Sequence, residues 1–384
     1  ALGTAYWYAS GAGRFVTSTW YRDALPAWLE EWNATDPALA WRDVVWRPLA
    51  PLPRYAARYA DDRPFEVGYG HLDRTFPHPL AGDDAEATRK AIRYTPLGDE
   101  LLLELTKRLI RGERIGLGPA TDFLSISFSA TDYVGHAWGP LSLEAEDNVL
   151  RLDRTLADLF AFVDREIGLG RTAVVLSSDH GIEPCPETQR GRSAGRHVSG
   201  EVEAALNRAL DDRLGGGDGD LIEAFWAPDV HLDEAAVARR GLDVDAVART
   251  VAAVATGIEG IDAAFTRADL LSGRGPSDPR SERVRRSFHP DRSGDVVLVA
   301  APFWSWHAEV PKNAATHGSP YRYDTHVPLL FLVPGVRPRV VHRPVAPSDV
   351  APTLATLLGL PWPSGATGEA LGETLPPGHE VREF

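Results

Sequence analysis

Apolar residues recur along the chain at two periods, and each period predicts a kind of element. Leu101, Leu102, Leu105, Leu109 and Ile110 fall on one side of a helix over 97–111. Leu150, Leu152, Leu156, Leu159, Phe160 and Val163 do the same between about Ser142 and Glu166. Trp20, Leu25, Trp28, Leu29 and Trp32 have roughly helical spacing and predict an amphipathic helix within 15–33. Short apolar runs over 122–129, 172–177, Val296 to Ala300 and Val327 to Val333 predict buried strands. A last helix, Ser348 to Leu358, opens on a residue able to cap its first turn. The order helix, strand, helix, strand predicts an α/β fold. Its expected form is an α/β/α sandwich with a mostly parallel central sheet covered on both faces.

This rhythm breaks over 185–290. The stretch to about residue 225 is polar and rich in Arg, Gly and Asp, and 215–220 has the composition of a loop. A short strand, a helix near 243–256 and a strand from Asp262 to Arg267 follow. Residues 185–290 are therefore predicted to form a smaller α+β cap inserted into a core made of 1–184 and 291–384.

Charge narrows the partners. The 384 residues carry a net charge of −14, which disfavours a nucleic-acid polymer or an anionic membrane surface. A small phosphate-bearing substrate stays open, because local cations decide that. Cys185 is the only cysteine, so no intrachain disulfide can form. No apolar run is long enough to span a bilayer, and no signal segment is present. Nothing in the chain specifies an oligomeric state. The opening residues, Ala1 to Tyr8, have the character of the middle of a folded segment, so a natural N-terminal region is expected to be absent.

The chemistry concentrates at strand ends. Strand 172–177 runs into Ser177-Ser178-Asp179-His180-Gly181. A carboxylate beside an imidazole at a strand's C-terminal end suits a zinc-type metal. Strand 122–129 is followed by Asp132 and His136, four apart and so on one face of a helical turn. Two such pairs suggest a two-metal hydrolytic site. His317, in Thr316-His317-Gly318, is a candidate further ligand. Asp324 and His326 are assigned structural roles, with His326 beginning a strand. The remaining histidines follow no pattern and are expected at the surface.

Together these motifs resemble the alkaline phosphatase superfamily. Thr131-Asp132-Tyr133-Val134-Gly135-His136 with Gly139-Pro140, Asp179-His180-Gly181 and Thr316-His317-Gly318 are most similar to its type I phosphodiesterase/nucleotide pyrophosphatase branch. Within that branch, the bacterial alkaline phosphatases with a Thr nucleophile are the nearest match. Support comes from Phe15 to Tyr21, Thr121 to Ser129 and Tyr323 to Leu330. The resemblance implies a phosphate monoesterase that works through a covalent phospho-enzyme on two Zn²⁺ ions, with phosphodiester or nucleotide pyrophosphate cleavage as the alternative. It implies one zinc on Asp132, His136 and His317, and the other on Asp179, His180 and an earlier Asp. That Asp, the nucleophilic Thr or Ser, and the phosphoryl-holding Asn and Lys/Arg are expected to precede the region matching Ala1, so the catalytic nucleophile is not identified within this chain. Thr17, Ser18 and Thr19 do not fall at the nucleophile's place. Cys185 is followed by Pro186-Glu187-Thr188-Gln189, which fails the C-x-P-x-R pattern of the related sulfatases. Cofactor-independent phosphoglycerate mutases match less well, and manganese stays compatible with the ligand types. A non-catalytic metal- or phosphate-binding protein is the reading from another class. The family resemblance also carries a periplasmic or secreted location.

Overall fold

The computed structural model describes residues 3–57, 60–217, 219–274, 276–307 and 312–378. It is a mixed α/β fold. The N-terminal third holds the hairpin β1 (Trp7–Ala9) and β2 (Arg14–Val16), α1 (Ala27–Asn33), the ribbon β3 (Val45–Trp46) and β4 (His78–Pro79), α2 (Ala85–Ala91) and α3 (Leu97–Gly112). Next come α4 (Ala130–Trp138), α5 (Leu143–Glu166) and β5 (Val174–Ser177). Residues 185–290 contain β6 (Gly195–Val198), α6 (Ser199–Leu214), β7 (Ile222–Trp226), β8 (Asp229–Leu232), α7 (Glu234–Arg239), α8 (Val244–Ala255), β9 (Ile261–Thr266), α9 (Arg267–Ser272) and α10 (Pro279–Ser287). The chain then forms β10 (Val296–Ala300), β11 (Trp304–His307), α11 (Arg322–Thr325), β12 (Leu329–Leu332) and α12 (Val350–Leu358).

Local chemistry explains many of these boundaries. Ser142 caps α5 by accepting from the Ala145 amide, and Asp243 and Asp278 cap α8 and α10 in the same way. The helix expected within 15–33 is confined to α1, because Pro26 lacks an amide hydrogen and is placed at its boundary rather than inside it. The final helix follows a short 3₁₀ turn, Pro347–Asp349, so Asp349 and not Ser348 stands at its start. His326 ends α11, and the strand begins at Leu329.

The mostly parallel central sheet is not what these residues form. Among the described residues the largest sheet is antiparallel, in the order β7-β8-β10-β9. It joins three strands of residues 185–290 to β10, which lies beyond residue 290 in the chain. β5 and β12 pair antiparallel, from Leu329 opposite Ser177 to Leu332 opposite Val174. Among the described residues only β6 and β11 run parallel. The direction of such distant partners is not encoded in the order of elements along the chain. The predicted strand 122–129 is extended but has no ladder partner among the described residues. Its alternation survives: Leu124, Ile126 and Phe128 turn in against Leu103, Ile110, Leu159 and Phe162, while the residues between face out. Period-two patterning specifies a half-buried extended segment; it does not supply a neighbour to bond to.

The three largest apolar clusters among the described residues lie in different parts of the chain. One packs α1, α3 and α4 around Phe15, Trp32, Trp46, Leu101 and Trp138. Another joins α3 to α5. The third packs α6 and α8 on the four-stranded sheet through Leu206, Val230, Val251 and Leu298. The β5–β12 ribbon is different: Leu176, Leu330 and Leu332 remain exposed, as does Phe123. Among the described residues no helix is long and apolar enough to cross a membrane.

Candidate metal centre

The helix α4 is fixed at its start by α3. The Ala130 amide donates to Asp99 Oδ1 at 3.1 Å, and burial pushes the Asp99 carboxyl up to about 7. One turn then carries Asp132 and His136 on the same face, with His136 Nε2 3.4 Å from Asp132 Oδ1. Gly135 has a packing reason: a Cβ there would stand 2.8 Å from Ile182 Cδ1. The loop after β5 can therefore lie against α4, and His180 comes with it.

Gly181 answers a second close approach. Its amide donates to the Asp324 carbonyl at 2.7 Å, and any Cβ would collide with the Tyr323 carbonyl. The Asp-His-Gly loop is thereby locked to the segment that follows His317. The Glu183 amide donates to the Thr316 carbonyl at 3.0 Å, which ties the two loops again.

These constraints gather four of the five predicted ligands. His317 Nε2 lies 3.6 Å from Asp132 Oδ1. The His180 and His317 rings stack with centroids 3.4 Å apart, and those of His136 and His317 are 5.0 Å apart. Asp132, His180 and His317 each offer a ligand atom, all within 4.8 Å of one another. Asp179 stands at the rim: its side chain is 85% exposed, 3.5 Å from His180 Nε2. The Ser178 hydroxyl donates to the His180 carbonyl at 2.6 Å and steadies this turn.

The hydrogen bonds of the donor set leave it suited to a metal. His136 Nδ1 lies 2.8 Å from the Ala315 carbonyl, and His180 Nδ1 lies 2.9 Å from the Gly181 carbonyl. A carbonyl can only accept, so each Nδ1 must carry the proton. In each neutral ring the lone pair is then on Nε2, the atom that faces the cluster. Backbone carbonyls hold metal-binding histidines in this manner. Burial, and then the His180 imidazole, push His317 below its ordinary value, which favours the neutral form that can bind a metal. The residues present fit a transition-metal site.

Sequence reasoning missed the layer beneath. Glu183 is buried, accepts from the Ser305 hydroxyl, and is pushed up to about 7 by burial. No pattern around Glu183 distinguishes it from a surface acid. Asp324 Oδ2 accepts from the Ser319 amide at 2.7 Å, in keeping with its structural assignment. Two other histidines depart from the surface positions expected of them. His78 is fully buried against Glu144, and His197 lies between Trp304 and Trp306. Thr17 and Ser18 are engaged near the first hairpin, where Thr17 Oγ1 donates to the Ala5 carbonyl and Ser18 Oγ accepts from the Trp20 amide.

Comparison with known proteins accords with this geometry. Residues 6–320 match the family model of type I phosphodiesterase / nucleotide pyrophosphatase. A protein of Myroides odoratus named calcium-transporting ATPase is 33% identical over 379 residues, covering 97% of this chain and 68% of that relative. Alkaline phosphatase PafA of Elizabethkingia meningoseptica is 31% identical over 374 residues, covering 97% and 67%. The crystal structure of wild-type PafA superposes with a TM-score of 0.87 over 96% of this chain and 70% of that one. The chain thus spans about two thirds of the length of these relatives. From motif order, site geometry and these likenesses, it belongs to the type I phosphodiesterase / nucleotide pyrophosphatase family.

Proposed function

We propose that the chain is the metal-binding part of a phosphohydrolase that cleaves phosphate monoesters on two zinc ions. The carrying observation is the convergence of Asp132, His136, His180 and His317, with Nδ1 of His136 and of His180 bonded to backbone carbonyls so that Nε2 is the nitrogen available to a metal. Asp132, His136 and His317 would hold one zinc. His180 and Asp179 would hold the other together with a carboxylate from a segment outside these residues. Manganese satisfies the same donor types. When bound, the ions supply positive charge to the phosphoryl and leaving-group oxygens. The protein's own residues orient that charge: α4 and the Asp-His-Gly loop fix the ligands, and Gly181 keeps the two loops in contact.

A hydroxyl nucleophile and further phosphoryl-binding cations belong to the same outside segment in this reading. A periplasmic or secreted setting goes with it through the family resemblance. The name of the matching family model favours one second reading, phosphodiester or nucleotide pyrophosphate cleavage. The test compares Asp132→Ala and the unaltered protein, each in intact form, for zinc content and for turnover of an aryl phosphate and an aryl phosphodiester. Loss of both zinc and turnover in the variant supports the reading, and the faster ester class decides between the two substrates. Full zinc occupancy without turnover of either ester would instead mark a metal-binding protein that is not a catalyst.

A further inference from the structure

The segment carrying His317 is held from two sides. On one side are the contacts already described, from Ala315 to His136, Thr316 to Glu183, and Asp324 to Gly181. On the other side the contacts come from the inserted region and from β10 and the residues just after it. Arg283, on α10, donates to the Pro320 carbonyl at 2.8 Å. The Tyr321 hydroxyl lies 3.0 Å from Asp262 Oδ2 on β9 and 2.9 Å from the Ala300 carbonyl at the end of β10. Both are acceptors, so they share its one proton. Arg280 pairs with Asp262 and holds that carboxylate in place. The Tyr321 ring packs with Phe265, Val284 and Val299, within the insertion's own apolar cluster. Two residues on, Tyr323 accepts at its hydroxyl from the Phe303 amide, at 3.2 Å. Phe303 has φ of 67°, a conformation that costs a non-glycine residue about 1 kcal/mol or more.

We infer that the insertion positions His317: the Asp262–Tyr321 junction and the Arg283–Pro320 bond set where the His317 loop stands relative to Asp132. Tyr321, Asp262 and Arg283 are positioning residues for the metal site, and the inference rests on the metal reading above. The physical reason is economy of constraint. His317 is four residues from Tyr321, and Gly318, between them, has φ of 111° and gives the loop little stiffness of its own. A ligand on such a segment is aimed by whatever clamps its far end. Partners bonded directly to metal ligands are worth about 10–100-fold in metal affinity, and a clamp on the loop beyond His317 acts at the lower end of that range.

The experiment is a zinc titration of the full chain against a chromophoric chelator, with thermal unfolding of each metal-free variant measured beside it. Tyr321→Phe removes the shared proton and keeps the ring, and it should weaken zinc binding about tenfold with an unchanged midpoint. Asp262→Asn, which keeps an acceptor for the intact Tyr321 hydroxyl, should cost much less. His317→Ala is the control for the metal reading. If it lowers zinc affinity while Tyr321→Phe does not, the positioning inference is overturned and the metal reading stands. If His317→Ala itself leaves zinc binding unchanged, the metal reading and the inference resting on it both fall. Should Tyr321→Phe lose its unfolding transition, Arg283→Gln carries the same comparison from the exposed side of the contact.

Discussion

Two clusters in this molecule pair a carboxyl group with histidine, and they are built for opposite ends. At the base of α5, His78 Nε2 lies 3.0 Å from Glu144 Oε1, and neither side chain has any exposure. Trp46, Phe76 and Trp138 surround the imidazole at centroid distances of 4.8–5.1 Å. Burial pushes Glu144 up to about 9 and His78 down to about 4. Both are therefore uncharged at neutral pH, joined by a hydrogen bond inside an aromatic box. In the other cluster, Asp132 is 39% exposed and His317 28%. The imidazoles there pack against one another, and two have their Nδ1 protons tied to backbone carbonyls. A closed box makes an acid and a base neutral and structural. An open cluster with oriented lone pairs stays able to take up a cation.

Several changes would break or sharpen this contrast. The largest effect is expected on catalysis. Without the outside segment proposed to bring the nucleophile, the 384-residue chain should turn over an aryl phosphate more than about 10³-fold slower than the intact enzyme, with zinc added to both. Robust turnover by the chain alone would place the nucleophile within it, and Thr17, Ser18 and Thr19 would be the first to alter. Next is stability. His78→Ala empties an aromatic box and should cost about 3 kcal/mol in urea unfolding, while zinc affinity of the folded fraction is retained. His317→Ala should do the reverse, shifting metal-free stability by only about 0.5 kcal/mol and lowering zinc affinity. Equal stability losses from the two would erase the distinction.

The smallest effect is a slope. A carboxyl raised on folding contributes stability that is complete below its unfolded value and is lost as pH rises toward its folded value. For Glu144 that window runs from the ordinary carboxyl range up to about 9. His78 acts in the other direction: its contribution is complete above the ordinary histidine value and is lost as pH falls toward about 4. The urea midpoint should therefore fall between about pH 6 and 9, and Glu144→Gln should flatten that fall. A slope unchanged in Glu144→Gln would assign it to other buried acids, of which Glu66 and Asp99, each pushed up to about 7, are the next candidates.

The open cluster was legible in the sequence and the closed box was not. Asp132 and His136 share a helical turn, and Asp179 and His180 are adjacent, so spacing alone exposes their chemistry. His78 and Glu144 lie 66 residues apart with nothing in common but their burial. The same rule separates elements. α3 and α5 carry strong apolar stripes and form where the pattern places them. Strand pairing depends on partners far along the chain, so β5 gives no sign that β12 lies beside it, or in which direction.

The uncovered face of the β5–β12 ribbon makes the chain adhesive. Leu176, Leu330 and Leu332 lie on a two-stranded ribbon with no further strand beside it among the described residues, and Phe123 is 75% exposed. Open strand edges with apolar side chains recruit other strands. In concentrated solution these few residues should favour association in spite of the net charge of −14. The chain should be retained on hydrophobic resins and sediment faster as its concentration rises, and a charged residue in place of Leu330 should reduce both.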